Sequence, residues 1–337
     1  MSFRPPTLTS RRLDWKCRNL SFSTMKVAII TEGYHGTGYG HLTRCLSIYQ
    51  AFEEKGITPL YIANCDEVGK KYIHDVNLLQ MNWLDKSDEL INTLIDFDIA
   101  VIDSYLAPKE LYERIYKTVR KVVYIDDYIR LDYPPGIIVN GTIGAENLPY
   151  KKDDEQEYLL GIEYMPLRKE FWDVDVPNRN GKIENILITF GAQDFLKLTP
   201  KILTFLLKQF TNYEYYVVGG KLPSDLINQV NVHYHDSVNA DRMLELMLNS
   251  DIAVTAAGQT TYELARVCLQ TIAIGVAENQ KFNLKGWKAS DFIYEEIWSE
   301  DYNLFEKVER NFVKMTNTKR KALVDGQGAR RLINFCL

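Results

Sequence analysis

The feature that most constrains the fold is a repeated alternation of short apolar runs with longer amphipathic segments. The apolar runs have the length of strands and are almost uniformly hydrophobic, as in Val27–Ile30, Ile99–Asp103 and Ile252–Thr255. Strands of this kind are typical of a parallel sheet that helices cover on both faces. The segments between them carry apolar residues at helical spacing, so the pattern predicts βαβ units and an α/β fold.

The predicted elements form two series. In the first half, strands are predicted at Val27–Ile30, Pro59–Ala63, Ile99–Asp103, Val122–Ile125 and Ile137–Asn140. In the second half they are predicted at Ile186–Phe190, Tyr215–Val218, Asn231–Tyr234, Ile252–Thr255 and Thr271–Gly275. Helices are predicted between them, including His41–Lys55, Glu67–Asp75, Ser87–Ile95, Pro108–Arg120 and Asp241–Leu248.

This organisation predicts two Rossmann-like domains with a ligand cleft between them. A chain of 337 residues is long enough for two domains of about 150 residues each. Polar residues interrupt the pattern between the series, and we place the linker within residues 172–182. The predicted segments are a basic leader over residues 1–24, an N-terminal Rossmann-like domain over 25–175 and a C-terminal Rossmann-like domain over 176–337.

The leader carries Arg4, Arg11, Arg12, Lys16 and Arg18 against Asp14 alone. It lacks the apolar core of a secretory signal, and it is expected to be disordered. A mitochondrial presequence is one interpretation. The other is an extension upstream of a natural start, because Met25 leads directly into the first predicted strand.

Composition excludes several classes of partner. The net charge of −5 provides no broad attraction to nucleic acid or to an anionic membrane. No apolar run approaches the roughly 18–20 residues that span a bilayer, so no membrane insertion is predicted. The five cysteines are widely spaced and form no CxxC pair, which indicates reduced thiols in a cytoplasmic protein. The sequence carries no signal for an oligomeric state.

The turn after the first strand is the best candidate for an active site. It contains Gly36, Gly38 and Gly40, which allow positive φ and a close backbone approach to a ligand. His41 then begins the helix, where a neutral imidazole can accept a proton from water or from a sugar hydroxyl. Its alternative role is a polar helix cap. Arg44 either contacts phosphate or forms a surface or interdomain salt bridge.

A second turn of this type follows the predicted strand Ile252–Thr255. Gly258 lets the backbone turn, and Gln259, Thr260 and Thr261 place amide and hydroxyl groups at the start of a helix. Glu263 lies in the first turn of that helix, where a carboxylate can accept hydrogen bonds from both ribose hydroxyls of a nucleotide. The alternatives are an N-cap for Thr260 and complementarity to the helix dipole for Glu263.

Other polar residues follow predicted strands at the same sheet edges. Gly191 and Asp194 follow the first strand of the second half, and Asn279 with Gln280 follows its last predicted strand, where amides could grip sugar hydroxyls. Asp103, Asp126 and Asp127 end strands in the first half. A metal pair is one interpretation of these acids, but substrate contacts or loop caps are preferred because no histidine or third acid lies close by in sequence.

Taken together, these residues resemble the PseG-type nucleotide-sugar hydrolases of pseudaminic acid synthesis, relatives of the MurG-like GT-B glycosyltransferases. The similarity runs through nearly all of residues 25–334. The motifs that carry it are Gly38–Leu46, Ile102–Tyr105, Tyr124–Asp127, Gly161–Arg168, Phe190–Asp194, Ala257–Glu263, Asn279-Gln280 and Asp325–Ala329. Departures from the usual family pattern lie at Tyr34, His35, Ala192–Asp194 and Lys197.

The resemblance implies a GT-B fold and hydrolysis of UDP-2,4-diacetamido-2,4,6-trideoxy-β-L-altrose to UDP and the free sugar. His41 matches the general base of the family, which activates water for attack with inversion. The resemblance implies no metal and no other cofactor. It implies substrate contacts by Gly38, Gly40, Arg44, Tyr105, Arg168, Gly191, Asp194, Gly258, Gln259, Thr260, Thr261, Glu263, Asn279 and Gln280.

Two other functions stay open on the sequence. The first is an inverting glycosyltransferase of the MurG type, which would use a UDP-amino sugar and an acceptor in place of water. The second is a non-catalytic sensor of nucleotide sugars, which the presence of His41 disfavours.

Overall fold

The computed structural model describes residues 25–151, 154–176, 182–191, 194–315 and 322–337. The predicted leader 1–24, Cys17, the pair Ala192-Gln193 and part of the predicted linker therefore lie outside the described residues. The other four cysteines are free thiols. No helix within the described ranges is long and apolar enough to cross a membrane.

The first half of the chain forms a sheet of seven parallel strands in the order β3-β2-β1-β4-β5-β6-β7. The strands β1 to β7 are Val27–Gly33, Leu60–Cys65, Leu78–Gln80, Ile99–Asp103, Lys121–Ile125, Gly136–Asn140 and Gln156–Leu160. The helices α1 to α4 are Gly40–Glu53, Glu67–Lys70, Ser87–Leu94 and Lys109–Thr118.

The second half forms a sheet of six parallel strands in the order β10-β9-β8-β11-β12-β13. The strands β8 to β13 are Asn185–Thr189, Glu214–Val218, Val232–His235, Ile252–Ala256, Gln270–Gly275 and Ile297–Trp298. The helices α5 to α11 are Leu198–Gln209, Ser224–Ile227, Ala240–Asn249, Thr260–Arg266, Lys281–Ala289, Leu304–Lys314 and Gly328–Cys336.

The predicted α/β class with two parallel sheets is confirmed. The central strands are buried along nearly their whole length, because helices pack on both faces of each sheet. In both sheets the strand order reverses next to the first strand, so β1 lies between β2 and β4, and β8 lies between β9 and β11. The carboxyl ends of these strands are the expected position for a ligand.

Sequence patterning missed the edge strands β3, β7 and β13. β3 and β13 have three and two residues, which is too short for a period to show. β7 begins at Gln156, within a stretch that composition marks as a polar interruption, because an edge strand keeps polar residues on its open side. The helix predicted at Glu67–Asp75 is also wrong in length: it ends at Lys70, and Asp75 has a φ of 57°.

The last helix, α11, packs against α1 in the first half of the chain. Arg330 donates two hydrogen bonds, of 2.7 and 2.8 Å, to the carboxylate of Glu54. Gly328 lies so close to Met165 that a methyl group in place of its hydrogen would lie 2.1 Å from the Met165 carbonyl oxygen. The division of the chain at residues 175 and 176 stays a prediction, and α11 is the element that returns across it.

We expect Gly328→Ala to destabilise the protein by about 1–3 kcal/mol, because the added methyl has no space against the Met165 backbone. Thermal unfolding followed by circular dichroism should show a fall of a few degrees in Tm. Asn334→Ala is the control, because Asn334 is exposed on the same helix. A Gly328→Ala protein as stable as the Asn334→Ala protein would contradict the close contact.

Candidate active site

The glycine-rich turn joins β1 to α1 at the carboxyl edge of the first sheet. Gly36 and Gly38 have φ values of 104° and 86°, in the region that favours glycine. Gly40 begins α1, and a methyl group in place of its hydrogen would lie 3.7 Å from Oε1 of Gln259. The two turns predicted from the sequence therefore face each other, one from each half of the chain.

His41, the second residue of α1, has a side chain that is 18% exposed. Its Nδ1 lies 3.9 Å from Oε1 of Glu32 and 3.8 Å from Oδ1 of Asp103. The ring packs edge to face with Tyr105, with 4.3 Å between ring centres. Because Nδ1 faces two carboxylates, Nε2 is the nitrogen left for a substrate or water molecule. This arrangement suits a general base.

Glu32 is a site residue that sequence reasoning missed. It lies near the end of β1 and is 2% exposed. Its Oε1 accepts hydrogen bonds from the Ser104 hydroxyl, at 3.0 Å, and from the Tyr105 backbone N–H, at 2.9 Å. Burial raises the pKa of Glu32, and His41 acts in the opposite direction. The available signal was an acid near the end of the first strand, directly before the glycine turn.

Arg44, one turn of α1 after His41, lies in a buried ion-pair cluster. Its Nε and one terminal nitrogen donate to Asp103 at 2.8 and 2.7 Å, and both terminal nitrogens donate to Asp127, at 2.7 and 3.1 Å. Burial opposes the charge of Arg44, but the two carboxylates outweigh it and raise its pKa. Arg44 thus forms a salt bridge, though inside the first half and not at the surface or between domains. A phosphate contact stays a prediction.

The two acids that follow β5 hold a side chain and a turn in place. Asp127 accepts a short hydrogen bond from the Tyr105 hydroxyl, which fixes the ring that packs on His41. Asp126 accepts from the backbone N–H groups of Ile129 and Arg130, at 2.9 and 3.1 Å, as a loop cap does. The described residues contain no group of three or more His, Cys, Asp or Glu side chains arranged for a metal ion.

The second-domain turn places its predicted residues near the first. Gln259 donates a 3.2 Å hydrogen bond to the Pro166 carbonyl, and Thr261 donates one of 2.6 Å to the Gly258 carbonyl. The Thr261 hydroxyl also accepts from the Trp287 indole and is fully buried, so it supports the turn. Thr260 is the first residue of α8 and the N-cap position belongs to Gln259, so the predicted alternative of a Thr260 N-cap is wrong.

Glu263 forms a two-point salt bridge with Arg168, which approaches from the first half of the chain. Arg168 Nε lies 2.6 Å from Oε1 of Glu263, and a terminal nitrogen lies 2.7 Å from Oε2. The side chains are 23% and 5% exposed, respectively. Both residues were predicted to contact a substrate, and here they contact each other. A ribose contact by Glu263 stays a prediction, and it requires that the two hydroxyls replace or join Arg168.

The remaining predicted residues have different surroundings. Asp194 caps α5, because its carboxylate accepts from the backbone N–H groups of Leu198 and Thr199 at 2.8 and 2.7 Å. Gly191 has a φ of 81° and precedes the undescribed pair Ala192-Gln193. Gln280 lies beside the second turn, since a methyl group on Gly258 would lie 3.6 Å from its Nε2. Asn279 is exposed next to it.

We expect the Arg168–Glu263 pair to couple the two halves energetically. In a double-mutant cycle, Arg168→Met and Glu263→Gln should each lower the free energy of unfolding by about 1–3 kcal/mol. The double mutant should lose less than the sum of the two single losses. Urea unfolding followed by tryptophan fluorescence measures the four proteins. The same cycle on Arg114 and Asp88, an exposed pair, should give a coupling energy under about 1 kcal/mol. Equal coupling in the two cycles would contradict the assignment.

The comparison with known proteins supports the expected resemblance. No family model matches the chain. It is 29% identical over 275 residues to an uncharacterised protein of Methanocaldococcus jannaschii, covering 76% of this chain and 57% of that protein. It is 24% identical over 271 residues to the Helicobacter pylori protein named pseudaminic acid cytidylyltransferase and UDP-2,4-diacetamido-2,4,6-trideoxy-beta-L-altropyranose hydrolase, covering 79% and 47%. The chain thus spans about half the length of these relatives.

Solved structures confirm the predicted GT-B architecture. The fold is similar to MurG of Acinetobacter baumannii, with a TM-score of 0.59 and 14% identity over 91% of this chain and 95% of that one. It is also similar to Staphylococcus aureus MnaA, solved with UDP, with a TM-score of 0.63 and 12% identity over 93% and 96%. The predicted similarity to the PseG-type hydrolases and to MurG-like GT-B enzymes is therefore confirmed as a resemblance.

Proposed function

We propose that this chain hydrolyses a UDP-linked diacetamido-trideoxy sugar to UDP and the free sugar, with inversion at the anomeric carbon. The observation that carries the proposal is the position of His41: two carboxylates face its Nδ1, and it lies at a glycine turn that faces Gln259 of the second turn. The name of the H. pylori relative, at 24% identity, supplies the substrate class. The proposed role is a step in nonulosonate synthesis of the pseudaminic acid type.

In the proposed reaction, water attacks the anomeric carbon on the face opposite UDP. Nε2 of His41 removes a proton from the water as its oxygen bonds to that carbon. The bond between the anomeric carbon and the UDP oxygen breaks, and its electron pair leaves with UDP. The histidine then releases its proton to solvent, which returns the site to its starting state.

The site must stabilise the negative charge that develops on the leaving group. UDP departs with additional negative charge, and we propose that the backbone N–H groups of Gly40, Gln259 and Thr260, at the starts of α1 and α8, stabilise it. UDP is already a good leaving group, so the step as proposed uses no metal. Glu263 would bind the ribose hydroxyls once they replace Arg168 as its hydrogen-bond partners. Asn279 and Gln280, beside the second turn, would contact the sugar.

The test is incubation of the purified chain with UDP-2,4-diacetamido sugars and UDP-N-acetylglucosamine, without an acceptor. Proton and phosphorus NMR should show UDP and a free sugar, and the anomer of the sugar that forms first should have the configuration opposite to that of the substrate. Dialysis of the protein against EDTA should leave the hydrolysis rate unchanged. UDP release only with an added acceptor would favour a transferase of the MurG type. Epimerisation of the sugar, or no reaction with any member of the panel, would also contradict the hydrolase.

We expect His41→Ala to lower kcat by at least about 10²-fold, because the group that removes the proton from water is lost. UDP affinity, measured by calorimetry, should change little, since His41 is assigned to water and not to the nucleotide. His74→Ala is the matched control: His74 is exposed in the first half of the chain, and its loss should leave the rate unchanged. A His41→Ala protein with full activity would make the assignment wrong.

A further inference from the structure

The buried carboxylate of Glu32 is only partly used in the site described above. Oε1 accepts two hydrogen bonds, from Ser104 and from the Tyr105 backbone. Within the described part of the chain, no hydrogen-bond donor reaches Oε2, although that atom is buried. A buried polar atom without a partner costs about 1–3 kcal/mol, so its retention needs a reason.

The other acids around His41 differ from Glu32 in their counter-charge. Asp103 and Asp127 both form ion pairs with the guanidinium of Arg44. Glu32 has no such pair with an arginine or lysine among the described residues, and its ion-pair contact is His41 itself, at 3.9 Å from Nδ1. Asp103 and Asp127 therefore share the single positive charge of Arg44, while the ion-pair partner of Glu32 is the His41 imidazole, which Asp103 also faces at 3.8 Å.

We propose that Glu32 is a positioning residue for His41, which orients the ring through Nδ1 and supplies the negative charge that stabilises the imidazolium formed during the reaction. This inference rests on the proposed function of His41 as the base. The distance of 3.9 Å is longer than a hydrogen bond, so the proposed stabilisation is an attraction between charges that arises once the imidazole is protonated. Its strength comes from burial, because a charge that is 2% exposed is poorly screened by water.

Strand order explains why Glu32 can serve this role. β1 and β4 are neighbours, and their register pairs Thr31 with Asp103, so the acid after Thr31 reaches the same sheet edge as Asp103. Ser104 and the Tyr105 N–H, which follow β4, then hold Oε1. These contacts fix Oε1, which is also the oxygen that lies 3.9 Å from Nδ1 of His41.

Any pH dependence of His41 must include every charged or titratable group that faces it. In the part of the chain that the structure describes, these groups lie on β1, on α1, on β4 and in the turns that follow β4 and β5. They are Glu32, Arg44, Asp103, Tyr105 and Asp127. Glu32→Gln removes one negative charge from this set and leaves the Arg44 ion pairs in place.

The experiment compares Glu32→Gln with the wild-type chain by kinetics and by NMR of labelled histidine rings. Glu32→Gln should lower kcat about tenfold to a hundredfold with KM nearly unchanged, and should move the acid limb of the kcat profile to lower pH. The His41 ring, assigned with His41→Ala, should also titrate at lower pH. Glu53→Gln, an exposed change at the far end of α1, should move none of these.

The NMR titration separates failure of this inference from failure of the proposed function. If no UDP-sugar is hydrolysed but Glu32→Gln still moves the His41 titration, the function is wrong and the Glu32–His41 coupling stands. If hydrolysis occurs and Glu32→Gln moves neither the titration nor the acid limb, the inference is overturned. Should Glu32→Gln not fold, Glu32→Asp keeps the charge at a greater distance and should give a smaller displacement in the same direction; no displacement would overturn it.

Discussion

The rest of the candidate site depends on the buried guanidinium of Arg44. It joins α1 to Asp103, which ends β4, and to Asp127, in the turn after β5, through hydrogen bonds of 2.7–3.1 Å. Removing Arg44, or the aspartates that bind it, would leave a buried charge without its partner, which costs far more free energy than an unpaired charge at the surface. His41 lies one turn before Arg44 on the same helix, so the ion pairs that hold Arg44 also set where the imidazole can lie.

The same cluster extends to the aromatic ring beside the histidine. Asp127 binds the Tyr105 hydroxyl, and the Tyr105 ring packs against His41. The Tyr105 backbone N–H in turn holds Glu32. Charge, hydrogen bonding and ring packing therefore converge on one imidazole from β1, α1, β4 and the turn after β5. A site built this way holds the ring in one orientation before any ligand arrives.

The two halves of the chain meet through polar contacts near the same edge. Arg168 binds Glu263, the Tyr262 hydroxyl accepts from the Ile143 N–H at 3.1 Å, and Gln259 donates to the Pro166 carbonyl. These contacts bring the second turn opposite His41. Because Arg168 already binds Glu263, nucleotide binding as proposed requires the ribose hydroxyls to replace Arg168 as partners of this carboxylate.

Sequence alone determined the α/β class, the two parallel sheets and the two glycine turns, because uniformly apolar strands and glycine at strand ends are local signals. It also singled out His41, Arg44 and Glu263. Only the tertiary structure decided their partners: Arg44 with Asp103 and Asp127, Arg168 with Glu263, and Glu32 beside His41. The physical reason is that strand order and the packing of the two halves bring together ion-pair partners that are 59, 83 and 95 positions apart in sequence, and no local periodicity encodes such separations. Glu32 and His41 are close in sequence, but the groups that hold the Glu32 carboxylate, Ser104 and the Tyr105 N–H, lie 72 and 73 positions away.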